Sequence, residues 1–459
     1  MANPTENTPP GALSTRMATT VKILNPIADA LAARGKISPE EINLADGESS
    51  LMKLEMVEIC KEAMNNSITT DTFSNPVGFI GDVPMKEALA QYFTTYFHPT
   101  IPVTMDNIVP TAGSGNAIDA LIFTLCDAGD AVLCPAPWWC KFLLFLSLPF
   151  LRPIHIHIDT GGYGPYARVH AEVNVIPAFI KPSPSLSWTT ESLSSAIIPA
   201  LEAAYNSAPD PKRIKAVLTS NPNNPMMNCW PEDVVRQIMD FCQDHNLHYI
   251  SDEVFANTVF DLEADQFVSA LSLLKRPDRH DESVGVKSII EPTLVHVLWS
   301  VTKDFGACGV RAGCVLSYHP LVRAGVSFAS VWQVSSLAAH FTRSILTSPS
   351  TLDLLSSTRS QLAQSFQTCR EILSVPELTD RIQLLHTSVG FWTNAVVMLK
   401  ESENIQDIIV KAKQKGVIVG WGAEFAPLLQ KGQGLIKITF AMPQDVLRKG
   451  LERLRASLL

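Results

Sequence analysis

Ser300-Val301-Thr302-Lys303-Asp304-Phe305-Gly306-Ala307-Cys308-Gly309-Val310-Arg311-Ala312-Gly313 is the stretch on which the fold turns. It follows an apolar run, residues 294–299, that predicts a buried strand. A lysine just past a strand end, among small residues, can be held in a fixed and partly desolvated position. Such an amine loses its proton near neutral pH and becomes a nucleophile able to form a Schiff base. Arg311 offers a planar fork that holds a phosphate by two hydrogen bonds. An amine and a phosphate-holding arginine at this range suggest pyridoxal 5'-phosphate (PLP), a cofactor that restricts the chemistry to a few reaction types. A lysine after a strand is also an ordinary solvated residue, so the flanking motifs decide between the two readings.

Working outward, the segments alternate between strand and helix patterns. Residues 115–126 predict a helix opening at a glycine-rich turn, and 131–134 a short buried strand. Residues 214–219 predict a strand before a Pro/Asn turn, 231–245 an amphipathic helix, and 247–251 a strand ending on Asp252. Such repetition implies a mainly parallel sheet covered on both faces. Ligands of these sheets sit beyond the carboxyl ends of the strands, where the polar candidates fall. After about Ser330 long helices take over, then short strands near 390–398 and 435–440, which predicts a smaller second lobe.

The chain of 459 residues can bury a large core, and its net charge of -9 argues against nucleic acid or an anionic membrane as main partner. Nine scattered cysteines without a C-x-x-C pair point to a reducing compartment, the cytoplasm. Residues 1–14 are rich in Pro, Thr and Asn; they predict a disordered N-terminus and no secretory leader. The apolar run 142–151 is too short to span a bilayer. Residues 143–171 stand out as an atypical insertion, either a lineage feature or a gene-model artefact. His155 and His157 within it lack clustered partners for a metal.

Four further motifs carry chemistry. Gly113-Ser114-Gly115 opens a helix, where backbone N–H groups and small residues welcome a phosphate. Pro135-Ala136-Pro137-Trp138-Trp139 places two indoles past a strand end. Ser220-Asn221-Pro222-Asn223-Asn224-Pro225 is a turn that could be structural alone. Asp252, with Glu253 as its alternative, closes a buried strand, a costly place for an unpaired carboxylate.

In this order the motifs resemble the class I/II PLP-dependent aminotransferase family of fold type I. The Ser-x-x-Lys-Asp-x-Gly-x-x-Gly-x-Arg-x-Gly pattern is similar to the branch holding 1-aminocyclopropane-1-carboxylate (ACC) synthases and fungal C–S lyases. The resemblance implies an α/β fold, with a large domain built on a mainly parallel seven-stranded sheet and a smaller α/β domain. It divides the chain into 15–54 (small domain, N-terminal part), 55–329 (large PLP-binding domain) and 330–459 (small domain, C-terminal part). Lys303 becomes the Schiff-base lysine. Gly113, Ser114, Gly115, Ser300 and Arg311 become phosphate ligands, assisted by Thr302. Trp139, or alternatively Trp138, stacks on the pyridine ring. Asn224 bonds the phenolic oxygen, and Asp252 pairs with the pyridine nitrogen. A homodimer is expected.

The chain departs from the family pattern at several points. Phe255 and Phe79 stand where relatives carry tyrosines, and Ala45-Asp46-Gly47-Glu48-Ser49 replaces the usual substrate-side motif, leaving Glu48 as a substrate-side candidate. Lys437 occupies the place of the carboxylate-clamping arginine, so the substrate's anion meets a point charge instead of a fork. The expectation is an enzyme acting at Cα of an amino acid-like substrate: an aminotransferase of specialised metabolism, with a C–S lyase or ACC-synthase-like elimination enzyme as alternative. A catalytically decayed PLP-binding protein is the non-enzyme alternative.

Overall fold

The computed structural model describes residues 38–74, 79–136, 173–180, 193–275, 290–421 and 432–459, with single positions 13, 18 and 21. The readings of the tail 1–14 (Leu13 apart), of Trp138 and Trp139, and of segment 143–171 with its two histidines lie outside the described residues. Among those described, the strands in chain order are β1 (Ile42–Leu44), β2 (Ile108–Thr111), β3 (Ala131–Ala136), β4 (Asn174–Phe179), β5 (Ile214–Ser220), β6 (His248–Asp252), β7 (Val295–Ser300) and β8 (Gly313–Ser317). They continue with β9 (Ile382–Leu384), β10 (Trp392–Met398), β11 (Val417–Trp421) and β12 (Gln433–Thr439).

Seven of them form one sheet in the order β2-β8-β7-β6-β5-β3-β4. Its pairings from β4 through β3, β5 and β6 to β7 are parallel, and β8 and β2 join antiparallel. β7 is buried at every position and β5 at all but one, as a sheet covered on both faces demands. One covering helix, Glu232–Asp244, buries Val234, Val235, Ile238, Met239, Phe241 and Cys242, and carries Glu232 and Asp233 in its first turn, where the helix dipole favours them.

The second sheet runs β1-β11-β12-β10-β9. β1 pairs in parallel with β11, so an early segment joins a late one. Helices Thr351–Leu373, Ile405–Gln414 and Gln444–Leu458 contribute Leu362, Phe366, Ile408, Leu447, Leu451 and Leu454 to this lobe's core. In the register of β10 against β12, Trp392 faces Thr439 and Asn394 faces Lys437. Paired residues, and residues two apart, share a face of a sheet. All four therefore sit on one face. It is turned toward the large lobe, where Asn394 Nδ2 donates to Pro225 O at 2.8 Å, while Thr439 Oγ1 donates to Asp46 O in the segment that follows β1.

Candidate active site

β5, β6 and β7 are adjacent and parallel, and end together at Ser220, Asp252 and Ser300. Their carboxyl ends gather the candidate residues. Lys303 lies on a single turn of helix, Val301–Asp304, directly after β7. Its Nζ donates to Gly47 O at 2.6 Å and stands 5.4 Å from the ring centre of Phe255 and 5.8 Å from that of Phe391. The turn is anchored by the neighbouring Asp304, which is buried. Asp304 accepts from Trp299 Nε1 (2.8 Å), Asn257 N (2.9 Å), Tyr92 Oη (3.0 Å) and Asn257 Nδ2 (3.1 Å). Burial pushes its carboxyl up to about 6, with these donors pulling the other way.

The phosphate-type turn forms where helix Ser114–Leu125 begins. Gly113 caps it at φ 88° and ψ 173°, a conformation essentially reserved for glycine. Ser114 and Gly115 are the first helical residues, so their N–H groups belong to the unpaired first turn. Arg311, itself left-handed at φ 56°, lays its guanidinium across this turn. Its Nη2 donates to Ala112 O at 2.9 Å and its Nη1 to Cys308 O at 3.1 Å. A Cβ on Gly113 would lie 2.7 Å from Arg311 Nη2. Ser300 Oγ is buried with no hydrogen-bond partner among the described residues. Thr302 is half-buried and its carbonyl accepts from Cys308 Sγ at 3.5 Å.

Across the strand ends, Asn221 N donates to Asp252 O at 2.9 Å and Asn224 N to Ser220 Oγ at 3.0 Å. Asn224 Oδ1 is buried without a partner among the described residues. Glu253, beside Asp252, is engaged elsewhere: Ser269 Oγ (2.6 Å), Ser251 Oγ and Ala270 N (both 2.9 Å) donate to it, and burial raises its carboxyl to about 7.

The small lobe closes the cleft. Lys437 Nζ stands 4.6 Å from the ring centre of Trp392. Gly47 is wedged between them: a Cβ there would lie 3.0 Å from Trp392 Cζ3 and 3.6 Å from Lys437 Nζ. Trp392 meets Phe255 edge-on at 5.5 Å. Lys303, Gly47, Lys437, Trp392 and Phe255 thus form a closed ring of contacts. Glu48 is exposed, within electrostatic reach of Cys308. Phe79 is exposed and lies away on a surface aromatic cluster, stacked on Trp332 at 6.1 Å and edge-on to Phe328 at 5.4 Å. The structure brings together Gly113, Ser114, Gly115, Ser300 and Arg311 at one end of the cleft, and Lys303 with Lys437 at the other. Sequence reasoning passed over Phe391, Trp392 and Asn394. Gly390-Phe391-Trp392, a glycine before paired aromatics at a strand start, was the available signal.

The residues present fit PLP. A glycine-only turn under an arginine and a helix N-terminus suits its phosphate. The buried, unpartnered Ser300 Oγ and Asn224 Oδ1 are polar atoms that a polar cofactor satisfies. Among the described residues no group of side chains could hold a metal ion, and no helix is long and apolar enough to cross a membrane.

This fold and cleft define a fold-type I, PLP-dependent transferase. The chain belongs to the aminotransferase class I and II family, whose model matches residues 39–159 and 187–454. Members of this family act on amino acid substrates and are typically dimeric. The chain is similar to the probable aminotransferase aclI of Aspergillus oryzae, 28% identical over 455 residues, covering 97% of this chain and 98% of that protein. It is similar as well to 1-aminocyclopropane-1-carboxylate synthase 7 of Arabidopsis thaliana, 27% identical over 360 residues, covering 76% and 70%. Among solved structures, a tetra mutant of Thermus thermophilus aspartate aminotransferase superposes with a TM-score of 0.68 at 18% identity, over 98% of this chain and 100% of that one. Alanine aminotransferase from Pyrococcus furiosus gives 0.65 at 18%, over 97% and 99%. These likenesses show the shared fold.

Proposed function

We propose that the protein is an aminotransferase acting at Cα of an amino acid-like substrate in specialised metabolism. The observation that carries this is the placement of Lys303: on a turn anchored by Asp304, at the closure of the two lobes, 2.6 Å from Gly47 O. When bound, PLP supplies an electron sink that stabilises negative charge at the substrate Cα. With PLP bound, Lys303 would hold it through Nζ, and the same amine, once freed, would take the Cα proton as general base. Arg311, Ser300 and the N–H groups of Gly113, Ser114 and Gly115 would hold the phosphate, with Thr302 assisting. Asp252 would keep the pyridine nitrogen protonated and Asn224 would orient the phenolic oxygen, while the sequence offers Trp139 for the face of the ring. Lys437 would attract the substrate's anion, and the exposed Glu48, next to Gly47, is the other substrate-side candidate. The closed small lobe excludes water from the proton being moved. We place the protein in the cytoplasm as a homodimer. All cysteines among the described residues are free thiols, which fits that compartment.

Elimination, as in a C–S lyase or an ACC-synthase-like enzyme, is the second reading. It is favoured by Phe255, which has no hydroxyl to offer beside Lys303, and by the point charge of Lys437.

The test is visible absorbance of the PLP-loaded chain, challenged with amino donors, cysteine conjugates and S-adenosylmethionine. Lasting bleaching that a keto acid restores supports transamination. A transient change with release of ammonia or pyruvate supports elimination. Absence of any protein-bound visible band overturns the role of Lys303.

A further inference from the structure

We propose that Trp392 is a specificity-determining residue: its indole N–H and the Lys437 ammonium together hold one carboxylate of a substrate with an apolar body. The inference rests on the reading of the cleft given above and deepens it. A lysine is a point charge on a flexible stem and lacks the two parallel donors of a guanidinium. Two features of the small-lobe face make up for this. Trp392 is only 4% exposed, and its Nε1 has no acceptor among the described residues. A buried N–H without a partner costs about 1–3 kcal/mol, a cost that a ligand acceptor removes. The same ring lies 4.6 Å from Lys437 Nζ, so its π-face holds the ammonium in place while its N–H stays available in the ring plane.

The two side chains come from neighbouring strands. Trp392 pairs with Thr439 and Lys437 with Asn394, so both project from one face, and both crowd Gly47. Gly47 in turn accepts from Lys303 Nζ, which puts the pair beside the reacting amine. Two donors from two strands restore a two-point hold on a carboxylate. The walls next to them are the rings of Phe255 and Phe391, both buried and 5.8 Å apart. Both stand beside Lys303 Nζ, and neither has a group that could hydrogen-bond a substrate, so a substrate portion next to them would be apolar.

The probe is 3-phenylpropionate, a carboxylate with no amine to react, compared with 3-phenylpropanamide, its uncharged counterpart. Both are titrated calorimetrically into the PLP-loaded chain. The expected result is that the acid binds at least tenfold tighter than the amide. Trp392→Phe keeps a ring under Lys437 and removes the N–H; it should weaken the acid about 10–100-fold, the loss of one charge-assisted hydrogen bond, and leave the amide unchanged. Trp392→His, which keeps a ring N–H, should recover part of the loss. Lys437→Met should weaken the acid similarly, and the double variant by less than the product of the two, because both donors serve one group. Equal binding of acid and amide by the wild-type chain overturns the proposal without any variant. So does unchanged acid binding by a Trp392→Phe chain, or strictly multiplicative losses. The visible cofactor band separates the levels: if the wild-type chain forms none, the assignment of Lys303 fails; if it forms one and the acid shows no preference, only the carboxylate subsite fails.

Discussion

Gly113→Ala strikes the phosphate turn at its narrowest point. At φ 88° and ψ 173° the backbone occupies a region that L side chains reach only at a cost of roughly 1–3 kcal/mol. The added Cβ also lands 2.7 Å from Arg311 Nη2, so the guanidinium must move and gives up its 2.9 Å bond to Ala112 O. The chain should therefore lose about 1–3 kcal/mol of folding stability in urea without cofactor. A displaced Arg311 should cost one charge-assisted bond to the phosphate as well, about 1.5–3 kcal/mol, or about 10–100-fold in PLP affinity. Absorbance titration with PLP reads the second effect. Gly309→Ala is the control, since a Cβ there meets nothing within 4 Å. If the Gly113 variant unfolds and loads like that control, the phosphate turn is misplaced and the reasoning from Arg311 fails.

Two further outcomes follow from groups outside the cleft. His248 Nδ1 and His296 Nε2 lie 2.9 Å apart, and His296 Nδ1 lies 2.9 Å from Ser317 Oγ. Burial, with the neighbouring His319 charge, lowers His248 to about 4, and burial with His248 and His319 lowers His296 well below its usual value. Both are favoured neutral in the fold. Their contribution is present above the unfolded-state value near 6.5 and is lost as pH falls from there toward 4; urea midpoints at pH 7.5, 6 and 5 should fall in that order, and His296→Gln should flatten the slope. Arg381 is buried against Glu403, with Nη2–Oε2 at 2.7 Å, and its Nε donates to Leu458 O at 3.1 Å. Arg381→Met should cost roughly 3–5 kcal/mol, toward the lower end because Lys411 still reaches Glu403 at 3.0 Å; a urea midpoint equal to wild type would refute this.

What the sequence made legible was local. Lys303, Arg311 and the glycine turn at 113–115 announce themselves because each motif is contiguous and ends a strand. Asp304 was visible as a letter in the same stretch, yet its anchoring role depends on Tyr92, which lies 212 positions away. The contact of Trp392 with Gly47 was hidden for the same reason: the two meet only because β1 pairs with β11 and β12 pairs with β10. The strand expected over 390–398 begins two residues later, since Gly390 sits at φ 80° and turns the chain before pairing starts. β4 follows an atypical apolar segment that masked its pattern, and it is recognisable only by its pairing with β3.

The pairing of Ile42 with Val417 has a consequence for how the chain is made. During synthesis β1 emerges early, but its partner strand follows long after the whole seven-stranded sheet has left the ribosome. Closing so large a loop is entropically late and kinetically slow. The large lobe can thus organise its strand ends first, while residues 45–49 wait. Only when the last strands arrive are Asp46 and Gly47 fixed against Thr439 and Lys303. Completion of the cleft is therefore tied to completion of the polypeptide, and a chain released before β12 would carry the lysine without the wall that faces it.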